Sequence, residues 1–154
     1  MSELATSGEG SALSINTGTT GTPSWVTIGE IMTFDVTGRT AGTSDVTNFN
    51  SGKYKAWIPT LIDSGVVDMK VNRAFGSSDA GQVALEAAFV GLTVTGFKFV
   101  FPISAVAGQT TVGDTLIFQA LVQECGSWSV SPDKAVTAAF KLKITGAWTY
   151  TAGS

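Results

Sequence analysis

Apolar and polar residues alternate over several segments of the chain. In residues 66–72, three apolar side chains alternate with Asp68, Lys70 and Asn72. The same period of two recurs in residues 97–101, 116–123 and 136–145. This pattern predicts strands with one buried and one exposed face. Residues 25–36 are rich in β-branched and aromatic side chains and predict a further strand.

One segment carries the signals of a helix. Asp79 is a good N-cap with Gln82 at the third helical position, and Gly91 is placed to end the helix in a left-handed conformation. Apolar residues cover most of the circumference between them, while Gln82 and Glu86 form one thin polar stripe. We therefore expect the helix to be covered on more than one side, by its own sheet and by either a neighbouring subunit or a groove of the same domain. The candidate residues for the side of the helix that faces a neighbouring subunit are Val83, Ala87 and Val90.

Two segments lack this periodicity. Residues 1–24 are rich in Gly, Ser and Thr, with Leu4, Leu13 and Ile15 as the only large apolar side chains. Such a segment buries too little to offset its ordering entropy, so we predict a flexible N-terminal arm followed by a single β domain over residues 25–154. Residues 37–53 predict a long irregular loop, and loops of this length are usually functional or mobile.

Composition favours a subunit over a dispersed monomer. Charged residues make up 14% of the 154 residues, against about 25% in an average soluble domain. The chain has 21 threonines, 15 serines and 18 glycines, which form a surface able to pack against copies of itself. The net charge of −3 argues against a protein that grips nucleic-acid phosphates. We find no signal peptide or membrane-spanning stretch and expect a protein made and kept in the cytosol.

The sequence offers little catalytic chemistry. It has no histidine and one cysteine, Cys125, so neither a Ser-His-Asp arrangement nor a thiolate metal site can form. The nearby acid pairs, Asp63 with Asp68 and Asp35 with Asp45, straddle turns, where Asp ordinarily bonds the local backbone. We therefore predict no enzyme, cofactor or metal. A competing hypothesis is a monomeric carbohydrate-binding or adhesion module that stacks sugars on its four tryptophans, Trp25, Trp57, Trp128 and Trp148.

Five strings, in this order, resemble the major tail tube proteins of long-tailed, non-contractile phages. They are Ile28-Gly-Glu-Ile-Met-Thr-Phe-Asp35, Asp45-Val-Thr-Asn-Phe49, Trp57-Ile-Pro-Thr-Leu-Ile-Asp-Ser-Gly65 with the following strand, Asp79-Ala-Gly-Gln-Val-Ala-Leu85, and residues 135–146 ending Lys141-Leu-Lys-Ile-Thr-Gly146. Each string alone is weak, but their order and spacing cover residues 25–146.

The resemblance implies a mainly β fold, an antiparallel sandwich or half-barrel with a flanking helix, built into stacked hexameric rings that form the channel for DNA ejection. It implies a virion protein, assembled in the bacterial cytoplasm into the tail, whose partners are copies of itself and the tape measure, tail terminator and tail tip proteins. DNA is expected only in passage, without sequence-specific binding, and no membrane is expected. An inner tube of a contractile injection system is an alternative.

The resemblance also gives candidate sites. A long loop over residues 37–53 is expected to reach the adjacent ring and to order on assembly, with the candidate residues Thr37, Gly38, Arg39, Asp45, Thr47, Asn48, Phe49 and Lys53. The candidate acids for the channel lining are Glu30, Asp68 and Glu124, on the condition that their strands face inward.

Overall fold

The computed structural model describes residues 8–19, 21–104 and 107–154. Its strands are β1 (Ala12–Asn16), β2 (Trp25–Thr27), β3 (Ile31–Val36), β4 (Thr40–Asp45), β5 (Trp57–Asp63), β6 (Val66–Asn72), β7 (Val94–Val100), β8 (Thr115–Ser131) and β9 (Lys134–Thr151). The helix α1 (Ala80–Gly91) lies between β6 and β7 in the chain. Among these residues, no helix is long and apolar enough to span a bilayer.

Seven strands form one antiparallel sheet in the order β2-β1-β7-β8-β9-β6-β3, and β4 and β5 form a separate two-stranded hairpin. The strands β2 and β3 lie at opposite ends of this order, yet only three residues separate them in sequence. The sheet must therefore roll so that its two ends approach each other. The rings of Phe34 on β3 and Phe99 on β7 stack across the remaining opening, with centroids 4.4 Å apart. This confirms the half-barrel form of the predicted fold.

The core lies inside the rolled sheet and under α1. Buried positions alternate along β6, β7, β8 and β9, as the period of two predicts. Leu85 of α1 is fully buried, and the helix packs mainly on β8 and also on β1 and β2. The largest core side chains include Leu13, Ile15, Met69, Phe97, Phe118 and Leu142.

The helix begins as predicted and ends one residue later. The carboxylate of Asp79 accepts hydrogen bonds from the backbone N–H groups of Gly81 and Gln82, at 2.9 and 3.2 Å. At the other end Gly91 is the last helical residue, and Leu92 adopts the left-handed conformation with φ of 52°. The predicted glycine cap is therefore wrong. The N–H of Leu92 still reaches the carbonyl of Phe89, so the helix end is satisfied without glycine.

The predicted polar stripe of α1 points in two directions. Gln82 is buried, and its polar atoms are satisfied there. Its side-chain amide donates to the carbonyls of Gly29 and Asn72 and accepts from the N–H of Ala74. Glu86 forms an ion pair of 2.5 Å with Arg73. A buried glutamine with these partners fixes the helix to the residues just after β2 and to the last residue of β6. A helical wheel cannot detect this contact.

The predicted flexible arm differs from the structure over residues 12–16, which form β1 in the sheet between β2 and β7. Leu13 and Ile15 are 0% and 1% exposed, and they lie opposite Phe99 and Phe97 of β7. Two apolar residues at alternate positions are enough to hold β1 in the sheet, because β7 and β8 supply the remaining apolar surface of the core. Residues 1–7 and Thr20 lie outside the described residues, so the flexible N-terminal segment stays a prediction there.

Strands β8 and β9 are longer than their alternating segments. Their pairing continues to Ser131 and Lys134, past the core, with register shifts that include one between Cys125 and Ser127. Gly126 adopts φ of 81° at this shift, a conformation that favours glycine. The residues around Trp128 thus form the distal end of a long hairpin.

Candidate assembly surfaces

The hairpin of β4 and β5 projects from the rest of the fold. We call residues 40–63 the arm. All seven residues of β5 and all six of β4 are exposed, although β5 carries large apolar side chains on both faces. The exposed fractions are 55% for Trp57, 48% for Ile58, 88% for Leu61 and 68% for Ile62. A two-stranded hairpin is marginally stable in water by itself, and an exposed apolar surface of this kind is typical of a contact with another chain.

The base of the arm is fixed to the sheet. The N–H of Thr37 donates to the carbonyl of Val66 at 2.8 Å, and the Arg39 guanidinium lies 5.0 Å from the centre of the Trp148 ring. Lys143 donates to both carboxylate oxygens of Asp63, at 2.8 and 2.9 Å, and this lowers the pKa of Asp63. Gly65 is required at the junction, since φ is +95° and a Cβ there would lie 2.1 Å from the Thr37 oxygen.

The tip of the arm is a sequence of local turns. The carboxylate of Asp45 accepts from the N–H of Thr47 at 2.8 Å, and Asn48 accepts from the N–H of Asn50 at 2.8 Å. The bonds to Thr47 lower the pKa of Asp45. Phe49 at the tip contacts little and is fully exposed. The loop candidates therefore fall into two groups, with Thr37, Gly38 and Arg39 at the base and Asp45, Thr47, Asn48, Phe49 and Lys53 at the tip.

The helix candidates lie on its outer side. Val83 and Val90 are 42% and 79% exposed, and Ala87 between them is exposed as well. Leu92 and Val94 extend this apolar stripe onto the start of β7. Among the described residues nothing covers the stripe within one copy, so they form no groove on this side, which the sequence had left open as an alternative to a neighbouring subunit.

Two of the free edges of the rolled sheet flank the same four strands. Strand β3 pairs only with β6, and β8 pairs with β7 only over Thr115–Leu121. Residues 122–131, the distal half of β8, therefore have a partner on one side only among the described residues. Between the two free edges lie four antiparallel strands in the order β3-β6-β9-β8. Such edges are templates for pairing with another chain.

Two of the three lining candidates share a row across the outer face of these strands. Asp68 lies opposite Lys141, which lies opposite Glu124. The row also contains Asp35, opposite Asp68, which sequence reasoning missed because strand register is invisible in sequence. Glu30 lies at the start of β3 with φ of 61° and accepts a long hydrogen bond from Asn72, near the end of the same face. We call this surface the polar face.

The four tryptophans of the competing binding-module hypothesis lie on four strands, β2, β5, β8 and β9. Three of them contact different cations: Lys98 lies over Trp25, Arg73 over Trp128 and Arg39 over Trp148. No two tryptophan rings stack within the described part of the chain. The two carboxylates of the candidate acid pair Asp63 and Asp68 bind different lysines. Asp63 bonds Lys143, whereas Asp68 pairs with Lys141 at 3.9 Å.

No family model matches the sequence, and no curated protein matches it. Solved structures, however, share its fold over nearly the whole chain. A gene transfer agent (GTA) tail refined with C6 symmetry matches with a TM-score of 0.68 and 14% identity, over 96% of this chain and 100% of that one. The SPP1 tail tube matches at 0.65 and 17%, over 92% and 76% of the two chains. A component of the anti-feeding prophage baseplate matches at 0.66 and 11%, over 99% and 98%.

These likenesses define the class of fold. The chain has the fold of tail tube proteins, with a rolled antiparallel sheet, one flanking helix and a projecting hairpin. The fold predicted from the resemblance is thereby confirmed. At these identities the comparisons concern the fold alone, and the roles of individual residues stay predictions.

Proposed function

We propose that this chain is the major subunit of a phage tail tube, a structural virion protein without enzymatic activity. Copies assemble into hexameric rings, and the rings stack into the channel through which DNA leaves the particle. The observation that carries the proposal is the arm, whose apolar strand β5 is wholly exposed in a protein with the tail tube fold. The C6 symmetry of the similar GTA tail supports the hexameric ring.

The arm provides the contact between rings. Each large apolar side chain contributes roughly 1.5–3 kcal/mol when it is fully buried. Burial of Trp57, Ile58, Leu61 and Ile62 against the next ring would therefore supply a strong contact for each copy. The anchored base of the arm lowers the entropy cost of that contact, since Arg39 and Asp63 already hold it to the sheet.

The free edges provide the contact within a ring. Strands β3, β6, β9 and β8 alternate in direction, and their number is even. Copies related by rotation about the tube axis therefore place the distal half of β8 antiparallel to β3 of the next copy. This pairing is heterologous and closes without leaving an edge, so the ring wall becomes one continuous sheet. The apolar stripe of Val83, Ala87 and Val90 is a second candidate contact between copies.

The polar face then lines the channel. Its central row carries three acids, Asp35, Asp68 and Glu124, against one base, Lys141. The same face also carries Lys70 and Lys143, so acids and bases are interspersed on it, and mixed charges of this kind bind DNA phosphates less than an uncompensated run of cations would. By the family resemblance, the tube ends meet tape measure, terminator and tip proteins.

Replacement of the arm tests the proposal. Thr40 and Asp63 are cross-strand partners, so a two-residue Asn-Gly turn in place of residues 41–62 joins them without strain. We expect a folded protein that forms no tubes in negative-stain electron microscopy and sedimentation. A matched variant with threonine at positions 57, 58, 61 and 62 keeps the length and strand propensity of the arm, and it should also fail to stack. Tubes of normal length from both variants would refute the role of the arm.

An inner tube of a contractile injection system is the second candidate, because the fold likeness to the anti-feeding prophage component is as high as that to the phage tubes. Such a tube is surrounded by a second protein layer. Purified particles with a single protein layer around the channel favour the phage tail, and particles with a sheath favour the alternative.

A further inference from the structure

An open trough follows the core side of β3. It consists of two cavities of about 710 and 310 Å³ that share Gly8, Ser11, Phe34 and Phe99. The larger cavity is mostly apolar and extends along the side chains of Val36, Phe101, Leu116, Trp148 and Tyr150. At its polar end lies the Asp114 carboxylate, which accepts hydrogen bonds from Gln109 and Tyr150. Buried Nε1 of Trp148 has no hydrogen-bond partner within the described part of the chain, so the trough is incomplete in one copy.

Trp128 projects from the distal half of β8, beyond the core. Its side chain is 56% exposed, yet three neighbours hold it in place. The Arg73 guanidinium lies 5.5 Å from the ring centre, and Phe75 meets the ring edge-on at 6.3 Å. At Gly126 a Cβ would lie 2.9 Å from the indole nitrogen. An exposed tryptophan that is already ordered loses little entropy on binding, which is typical of an interface anchor.

The strand register places Trp128 and the trough on the same side of the sheet. Trp128 lies opposite Ala138, which lies opposite Val71, which lies opposite Ile31. Ala138 and Val71 are core residues, so Trp128 points to the core side as Phe34 does. If β8 of one copy pairs with β3 of the next, Trp128 must therefore face the trough of that next copy. An unstaggered seam places it at Ile31, and a stagger of a few residues moves it towards Phe34.

We propose that Trp128 of each copy inserts into the trough of the adjacent copy and sets the register of the ring seam. The inference rests on the ring closure proposed above and names its central contact. A strand pair with an apolar anchor on one face has one favoured register, since a slip by one residue turns the anchor to the polar face.

A photo-crosslinker tests the contact directly. Benzoylphenylalanine in place of Trp128 should join peptides of two copies, and mass spectrometry should place the second attachment at the trough, around Ser11, Phe34 or Phe99. Attachment elsewhere, or to a segment of the same copy, would overturn the proposal.

The concentration needed for ring formation gives an independent measurement. Trp128→Ala should raise it by about 30-fold or more, and Trp128→Phe should restore most of the loss. Circular dichroism shows whether each variant is folded. The matched control is Trp57→Ala on the arm, which should weaken ring stacking and leave ring formation unchanged. Normal ring formation by Trp128→Ala would overturn the contact while the tail tube proposal stands. Failure of the unaltered protein to form rings or tubes at any concentration would overturn both.

Discussion

Strands β5 and β6 are neighbours in the chain, equal in length and opposite in environment. Each has seven residues, and only Ser64 and Gly65 separate them. Strand β6 buries Val67, Met69 and Val71 between β3 and β9, whereas every residue of β5 is exposed. The apolar content of β5 is no lower, since it includes Trp57, Ile58, Leu61 and Ile62.

The difference lies in the partners that each strand has within one copy. Strand β6 has a strand on both sides and the core beneath it, so its period of two matches an environment with two unlike faces. Strand β5 has only β4, which consists of Thr, Ala, Gly, Ser and Asp and has no large apolar side chain. Apolar residues on both faces of β5 fit a strand that becomes covered on both sides in an assembly. The comparison thus separates the part of the chain that is buried within one copy from the part that we propose for contacts between copies.

The largest expected effect distinguishes the two strands directly. Met69→Ala in β6 removes a side chain that is 2% exposed, and it should lower the free energy of unfolding by about 2–5 kcal/mol. Leu61→Ala in β5 should change it by less than about 0.5 kcal/mol and should instead raise the concentration needed for tubes. Chemical denaturation of the monomer and sedimentation of the assembled protein measure the two quantities. Equal losses of stability would show that the arm belongs to the folding unit.

A smaller effect is expected from the same contrast between buried and exposed residues on the two sides of α1. Gln82→Leu leaves the carbonyls of Gly29 and Asn72 and the N–H of Ala74 without their partner, at a cost of about 1–3 kcal/mol of unfolding free energy. Val83→Asp, on the adjacent exposed position, should cost less than about 0.5 kcal/mol and impair assembly alone. Val83 is 42% exposed, so its side chain contributes little to the stability of one copy. A large loss of monomer stability in Val83→Asp would contradict this assignment.

The smallest effect concerns the ion pair between Asp63 and Lys143, at the junction of β5 and β6. Hydrogen bonds from Lys143 and the Gly65 N–H lower the pKa of Asp63 from its ordinary value of 3.8. The carboxylate therefore adds stability that is present at neutral pH and is lost as the pH falls below 3.8 through the folded-state pKa. Asp63→Asn should flatten this part of the stability curve and loosen the arm base, seen as faster hydrogen exchange at Thr40 and Ile62. An unchanged acid limb would show that the pair contributes nothing, as many exposed pairs do.

The sequence predicts the regular part of the fold well. Alternation placed the strands of the core, and the Asp79 N-cap placed the start of α1, because both signals are local and repeat at short range. Two local predictions failed. Residues 12–16 carry too few apolar side chains to predict a core strand, and Leu92 caps the helix where glycine was expected.

The assembly surfaces are predicted less completely. The resemblance indicated a long hairpin loop over residues 37–53, but the sequence did not show that β4 pairs with β5, since β4 has the composition of a turn. It indicated Asp68 and Glu124 but not the row that joins them through Lys141, nor Asp35 beside them. It placed Gln82 on the thin polar stripe of the helix but could not identify its hydrogen-bond partners, which come from residues up to 53 positions away in the chain.

By itself, the sequence determined the strand-rich class of the fold, its single helix and the low charge of its surface, since each depends on composition or on contacts within a few residues. Only the tertiary structure decided which apolar residues are buried and which remain for other copies. That choice depends on strand order and on the rolling of the sheet, which bring residues together from distant parts of the chain. They leave β3, the end of β8 and β5 each with one edge that no described strand of the same copy pairs.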